Sequence, residues 1–330
     1  MPQRGHWIRG GLLAVALLLT ALAAGAAYVM QPIGGWPGVA PVDGADPTRL
    51  EAHVRMLAET LAPRSWKRTD NLDRAAAYVA AELRRAGARV SEQAYHVDGA
   101  GQYRNVIGSL GPETRERVVV GAHYDAAGAF AGADDNASGV AGLLELARLL
   151  GARDETAARI DLVAFTLEEP PYYDTRWMGS HVHAQALQRE GAVVRGMIAL
   201  EMIGYFSDVP GSQRFPHPLL RLVYPSTGNF IAVIGRLGEA RLARRVKRAM
   251  QAATLLDVYS MNGPAWIPGL DFSDHRSYWA HGYPAVMVTD TAFYRNDRYH
   301  TARDTPETLD YGRMAEVVRG VHAAVLMLAR

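Results

Sequence analysis

The stretch AGADDNASGV, residues 131–140, sets Asp134 and Asp135 side by side among small residues, just ahead of the helix-like run AGLLELARLL. Adjacent carboxylates repel, so a cation or a proton must compensate them. Further acids and imidazoles recur at the ends of apolar runs. VVVGAHYD ends in His123 and Asp125, LVAFTLEE in Glu168 and Glu169, MIALEMIG carries Glu201, and YHTARDT places His300 after PAVMVT. The chain has no cysteine. Any metal is therefore held by His, Asp and Glu, a donor set that suits zinc. With so many acids a pair of ions is expected, about 3.5–4 Å apart, sharing a bridging carboxylate and lowering the pKa of a water between them. Asp134 suits such a bridge, leaving Asp135 to fix the loop or orient a ligand.

Elements must bring these residues together. Strands are expected at ERVVVGAH, RIDLVAFTL, GMIALEMI, NFIAVIG and PAVMVT, several apolar almost throughout, as strands covered on both faces are. Helices are expected from about Asp70 to Gly87, from Ser138 to Leu150 with Gly151 as stop, from Gly179 to Glu190, from Glu239 to Leu255, and from Tyr311 onward. Alternating strands and helices predict an α/β fold, a three-layer α/β/α sandwich on a mixed, largely parallel sheet. Sites in such sheets gather at the carboxyl ends of the strands, where these acids and imidazoles fall.

The 35 basic and 34 acidic residues balance to +1, which excludes the basic surplus of a nucleic-acid footprint. At the N-terminus, residues 1–9 form a basic flank with Arg4, His6 and Arg9, followed by the uncharged run 10–30. As a helix that run spans roughly 30 Å, the thickness of a bilayer core, and is read as a transmembrane anchor or a signal peptide with small residues at 23–27. Either way the remainder is exported, to the inner-membrane surface outside the cytoplasm or to the periplasm or beyond. Residues 31–46 are read as a Pro/Gly-rich linker and residues 47–330 as one folded domain that carries these acids and imidazoles.

In order along the chain, HYD, GADDNASG, the pair EE, an acid after the next strand, SDH and HTARDT resemble the co-catalytic zinc aminopeptidases and related exopeptidases. The resemblance implies that His123, Asp134 and Glu201 hold one zinc and that Asp134, Glu169 and His300 hold the other. It makes Asp134 the bridge, Asp125 the acceptor for the second ring nitrogen of His123, Glu168 the general base, and the Asp134–Asp135 peptide cis. Neighbouring residues on an extended segment point apart, which lets Glu169 face metal and Glu168 face substrate. The family usually has aspartate where Glu201 stands, PPYYDTRWMGS replaces a shorter link after EE, and Leu270 occupies the place of a tyrosine that some relatives use for the oxyanion. Tyr278 and Tyr299 are the substitutes available.

Peptides near a free N-terminus are the implied substrates. The alternatives are a carboxypeptidase, a glutaminyl-cyclase-like acyl transferase with one zinc, and a non-catalytic binding domain on the same scaffold. Other polar groups have plainer readings. Asp274 and His275 are expected to hydrogen-bond structurally, and His181 and His183 to pack or face solvent, since i and i+2 do not share a helical face. Asp304 and Thr305 mark a helix start with support for His300, and RLARRVKR is a solvated helical face.

Overall fold

The computed structural model describes residues 3–31, 44–152 and 156–330, with the side chains of residues 3–11 and 30 outside that description. Residues 32–43 of the expected linker, and the basic flank's side chains, thus lie outside the described residues. The elements run α1 (Gln3–Met30), α2 (Pro47–Arg55), α3 (Thr69–Arg85), β1 (Arg89–Val97), β2 (Gly101–Leu110), β3 (Glu116–His123), α4 (Gly139–Gly151) and β4 (Arg159–Phe165). They continue with α5 (Gly179–Glu190), β5 (Val193–Glu201), β6 (Ile231–Arg236), α6 (Ala240–Gln251), β7 (Val258–Gly263), α7 (His275–Ala280), β8 (Ala285–Thr289) and α8 (Tyr311–Ala329).

The eight strands form one sheet in the order β1-β2-β4-β3-β5-β8-β6-β7. Its centre, β4-β3-β5-β8, is parallel, while β2 joins β4 and β6 joins β8 antiparallel. Side chains alternate between the faces, so Val118, Val120 and Ala122 enter one core and Val119 the other. The larger core lies under α2, α3, α4, α6 and α8, and the smaller under α5 and α7. This is the expected three-layer sandwich.

All five strands read from the sequence are present. The antiparallel hairpin β1–β2 and the edge strand β7 were not anticipated. β1 has one buried residue in nine, so it carries none of the apolar run by which a central strand announces itself. At the parallel centre the register sets His123 beside Phe165 and Glu201 beside Thr289, so the four carboxyl ends share one edge of the sheet. Outside both cores, the apolar stretch Leu12–Val29 of α1 buries none of its length.

Candidate metal centre

At that edge the side chains of His123, Asp135, Glu169, Glu201 and His300 converge. One ligand atom each from His123, Asp135 and Glu201 lie within 4.8 Å of one another, as do atoms from Asp135, Glu169 and His300. His123 Nε2 is 3.4 Å from Asp135 Oδ1 and 3.4 Å from Glu201 Oε2, and His300 Nε2 is 3.0 Å from Asp135 Oδ2 and 3.2 Å from Glu169 Oε2. Both triads contain Asp135, one carboxylate oxygen serving each. Glu168 belongs to neither triad but faces the same space, its Oε2 3.9 Å from His123 Nε2.

This corrects the expected bridge by one residue. The side chain of Asp134 turns away from the cluster: its Oδ1 accepts from the Gly204 amide at 3.1 Å and its Oδ2 from Asn296 Nδ2 at 2.8 Å. Burial and the neighbouring Asp290 carboxylate raise Asp134 well above the ordinary carboxyl range, and the two carboxyls hydrogen-bond. The physical reason lies in the loop. Asp304 Oδ1 accepts the amide of Asp134 at 2.8 Å and its Oδ2 that of Asp135 at 3.1 Å, fixing the backbone with the Asp134 side chain on Gly204 and Asn296 and that of Asp135 in the cluster. The cis bond likewise joins Asp135 to Asn136, not Asp134 to Asp135.

Asp125 repeats the device on the other side. Its Oδ1 and Oδ2 accept the successive amides of Glu168 and Glu169, each at 3.2 Å. The expectation that its carboxylate fixes the His123 tautomer needs amending. His123 Nδ1 lies 3.1 Å from the Asp125 backbone carbonyl and 3.6 Å from its carboxylate, so the carbonyl is the acceptor and Nε2 is left for the cluster. Glu201, the longer acid where the family usually has aspartate, still reaches the cluster. Ser273 Oγ donates to its Oε2 at 2.7 Å. Asn136 clips β5 to the loop: its Nδ2 donates to the Leu200 carbonyl, and its Oδ1 accepts from the Gly139 and Met202 amides. A Cβ on Gly139 would lie 2.3 Å from that Oδ1 and 2.6 Å from the Leu200 carbonyl oxygen, so only glycine fits. Ser273 and Asn136 escaped the sequence reading because their partners are distant in the chain. Their place beside the acids in FSDH and ADDN was the available signal. Leu167, Met202 and His300, on or beside the converging side chains, have positive φ (60°, 49° and 54°), as do Gln31, Asp174, Thr291 and Ala292 elsewhere.

The electrostatics call for a cation. Burial raises Glu168 and Glu201, and burial with the Asp135 charge raises Glu169 to about 7. Burial opposes charge on the two imidazoles, yet the surrounding carboxylates raise His123 well above its ordinary value and His300 to about 10. Asp135, caught between the two, is depressed despite its burial. His123 Nε2, His300 Nε2 and Glu169 Oε1 are buried without a hydrogen bond of acceptable geometry. Five converging oxygen and nitrogen donors with orphaned ligand atoms fit zinc, whose charge would satisfy them. Two buried arginines flank the acids. Arg64 donates to the carbonyls of Leu57, Tyr124, Ala131 and Gly132, clamping the loops that follow β3, while Arg295 donates to Gln213 and to the Tyr205 and Phe230 carbonyls near Asp290.

The remaining residues singled out by sequence separate cleanly. His183 packs under α5 with its Nδ1 2.6 Å from the Tyr278 hydroxyl, which occupies that hydroxyl away from the cluster. His181 meets His281 edge to face at 4.6 Å. His275 Nε2 bonds the Leu270 carbonyl at 2.9 Å, the structural role expected of it, and Asp274 is buried with its carboxyl raised to about 7 by burial. Tyr299 stacks on His300 at 3.8 Å and lines an open pocket that reaches Glu201. Aromatic and aliphatic groups dominate that pocket, among them Phe230, Ile234, Tyr259, Met287 and Phe293.

An α/β/α sandwich carrying a shared-carboxylate His/Asp/Glu centre at its parallel edge defines a class, the zinc-dependent exopeptidase type of fold. The comparison with known proteins narrows it. Residues 105–325, more than half of the chain, match the model of peptidase family M28, and the chain belongs to that family. It is 48% identical over 285 residues to the Uncharacterized protein YfbL of Escherichia coli K12, covering 84% of this chain and 87% of that one. It is 28% identical over 240 residues to Leucine aminopeptidase 1 of Coccidioides posadasii, covering 69% of this chain but just 56% of that longer protein. By fold it resembles the glutaminyl cyclase of Porphyromonas gingivalis with a TM-score of 0.64 at 22% identity, over 86% of this chain and 99% of that one.

Proposed function

We propose that the chain is an exported zinc exopeptidase, an aminopeptidase, in which His123, Asp135 and Glu201 hold one ion and Asp135, Glu169 and His300 a second. When bound, zinc acts as a Lewis acid and lowers the pKa of water toward neutrality. The chain's own residues do the rest. Asp135 presents one oxygen to each triad, and the Asp304 and Asp125 forks fix the backbone on either side. Glu168, outside both triads, takes the proton of the attacking water and returns it to the leaving amine. Its burial raises its proton affinity, which suits a group that must hold a proton between two transfers. The apolar pocket beside Glu201 favours substrates with an apolar or aromatic N-terminal side chain. Anchored by α1, the catalytic domain works outside the cytoplasm.

The observation that carries this reading is the carboxylate shared by two complete triads with a free acid beside them. Both triads being complete favours two ions over the single zinc of a cyclase. Zinc analysis of the purified chain, with hydrolysis of peptides bearing free and blocked termini, tests it. The expected result is two zinc ions per chain and activity requiring a free N-terminus. One zinc with cyclisation of N-terminal glutamine would establish the cyclase reading instead, and dependence on a free C-terminus would establish a carboxypeptidase.

A further inference from the structure

The end of α1 is gripped by the catalytic domain. Arg244 donates to the Tyr28 carbonyl at 3.0 Å and lies 3.7 Å over the Tyr28 ring, Asn262 donates to the Val29 carbonyl at 2.6 Å, and Lys247 donates to the Gln31 carbonyl at 2.5 Å. These are carbonyls at the end of a helix, which lack partners within it and form the negative end of its dipole. Ser260 also donates to the Gln31 side chain.

The pattern fixes a direction. Going from Val29 to Gln31 the contacts step back from Asn262 to Ser260, so α1 runs antiparallel to β7 and projects past that strand's carboxyl end. β7 is parallel to β6, and β6 is antiparallel to β8, with Ala232 opposite Thr289 and Ile234 opposite Met287. The carboxyl end of β7 therefore lies at the edge of the sheet opposite the metal centre. Strands of this length separate the two edges by roughly 20 Å.

The surface around that exit has the composition of a membrane interface. Arg241 and Arg245, one turn apart on α6, are exposed, and neither they nor Arg244 has a carboxylate within 4.0 Å among the described residues. Glu239, the adjoining acid, is paired with Arg236. Leu237, just beyond β6, is 53% exposed, and Trp266, in the turn just beyond β7, is 81% exposed. Guanidinium groups bind phosphate well, and tryptophan favours the headgroup level. The apolar stretch of α1 ends at Val29, level with these groups, so no spacer separates the bilayer from the domain.

We propose that this edge rests in the anionic phospholipid headgroups of the membrane that holds α1, with Arg241 and Arg245 on phosphates and Leu237 and Trp266 in the interface. The metal centre then opens away from the bilayer, toward substrates arriving from water. The proposal rests on α1 being a retained anchor. Arginines so far along the chain do not contradict the bias of basic residues toward the cytoplasm, because large domains are translocated regardless of charge.

The cysteine-free chain allows a direct test. Full-length protein carrying Gly238→Cys, where an added Cβ meets nothing within 4 Å, is labelled with a fluorophore and reconstituted into phosphatidylcholine bilayers with and without phosphatidylglycerol. Asp98→Cys, in the β1–β2 turn near the catalytic edge, is the control. Quenching by headgroup nitroxides is expected at Gly238→Cys, stronger with phosphatidylglycerol and weakened by high salt, and absent at Asp98→Cys. Adding Arg241→Gln and Arg245→Gln is expected to lower the anionic-lipid preference about 25-fold, about fivefold per arginine. No quenching at Gly238→Cys in protein that resists alkaline extraction would overturn the proposal while leaving the anchor intact. Equal quenching in both bilayers would overturn the role of anionic lipid. Release by alkaline extraction would remove the anchor reading and this one together, leaving the peptidase reading untouched.

Discussion

Replacing each of the paired aspartates by asparagine separates their roles. Asp135→Asn keeps the shape but removes the charge that both triads share, with oxygens 3.4 Å from His123 Nε2 and 3.0 Å from His300 Nε2. Zinc content is expected to fall from two to one or fewer per chain, and kcat/KM at least 10³-fold, about 4 kcal/mol of transition-state stabilisation. Asp134→Asn keeps the shape and the acceptor for the Gly204 amide, but its Nδ2 can donate to Asp290 and cannot accept from Asn296 Nδ2, so zinc content should hold while stability falls by about 1–3 kcal/mol. Asp134→Ala strands the Gly204 amide and Asn296 Nδ2, two buried donors at about 1–3 kcal/mol each, a loss of roughly 2–6 kcal/mol. Zinc analysis, denaturant unfolding of the metal-free chain and steady-state kinetics on one unblocked peptide measure all three. Two zinc ions in Asp135→Asn alongside metal loss in Asp134→Asn would refute the assignment and restore the bridge to Asp134.

Three further outcomes follow from the geometry. Glu168→Gln should bind zinc normally while kcat falls by about 10²–10⁴ with KM little changed, as loss of a proton-transfer group requires. Gly139→Ala should destabilise the chain by several kcal/mol, about 3 or more, because its Cβ would meet the Leu200 carbonyl oxygen at 2.6 Å; thermal unfolding reads this directly. Burial lowers the His183 imidazole from 6.5 to about 4, so the unfolded chain takes up this proton first as pH falls. The contribution of neutral His183 is complete above pH 6.5 and lost progressively down to pH 4, roughly 3 kcal/mol in all. Compared with His183→Gln in chelator, the wild-type unfolding free energy should therefore decline more steeply between those limits.

What the sequence could disclose was set by which residues announce themselves locally. The central strands did so because burial on both faces demands unbroken apolar runs, as in VVVGAH, and their ends delivered His123, Glu169 and Glu201 where the site formed. β1 and β7 did not, because an edge strand answers to one neighbour and tolerates polar residues. The carboxylate common to both triads was legible as a pair but not as a member of the pair. Asp134 and Asp135 have the same side chain and nearly the same neighbours, and what separates them is a carboxylate 170 residues away, Asp304, gripping both amides. Likewise RLARRVKR reads as one solvated face, yet in the fold Arg244 and Lys247 leave it to hold the end of α1.

The same long-range logic explains how the site tolerates so much like charge before any ion enters. Asp125 and Asp304 do not add to the cluster's repulsion as free carboxylates would, because each is spent on two backbone amides of the segments that carry the ligands. Burial raises both Asp134 and Asp290, the latter to about 7, and the Asp290 charge raises Asp134 further, which favours a proton held between the two acids. Arg64 and Arg295 stand behind these pairs as buried cations, bound mainly to carbonyls and therefore not neutralised by any one acid. What remains uncompensated gathers at Asp135, Glu168, Glu169 and Glu201 facing His123 and His300, with the buried Asp274 carboxyl behind them, raised to about 7 by burial. A buried charge is costly unless something specific meets it, so the surrounding structure concentrates the electrostatic demand on the place where divalent ions would sit.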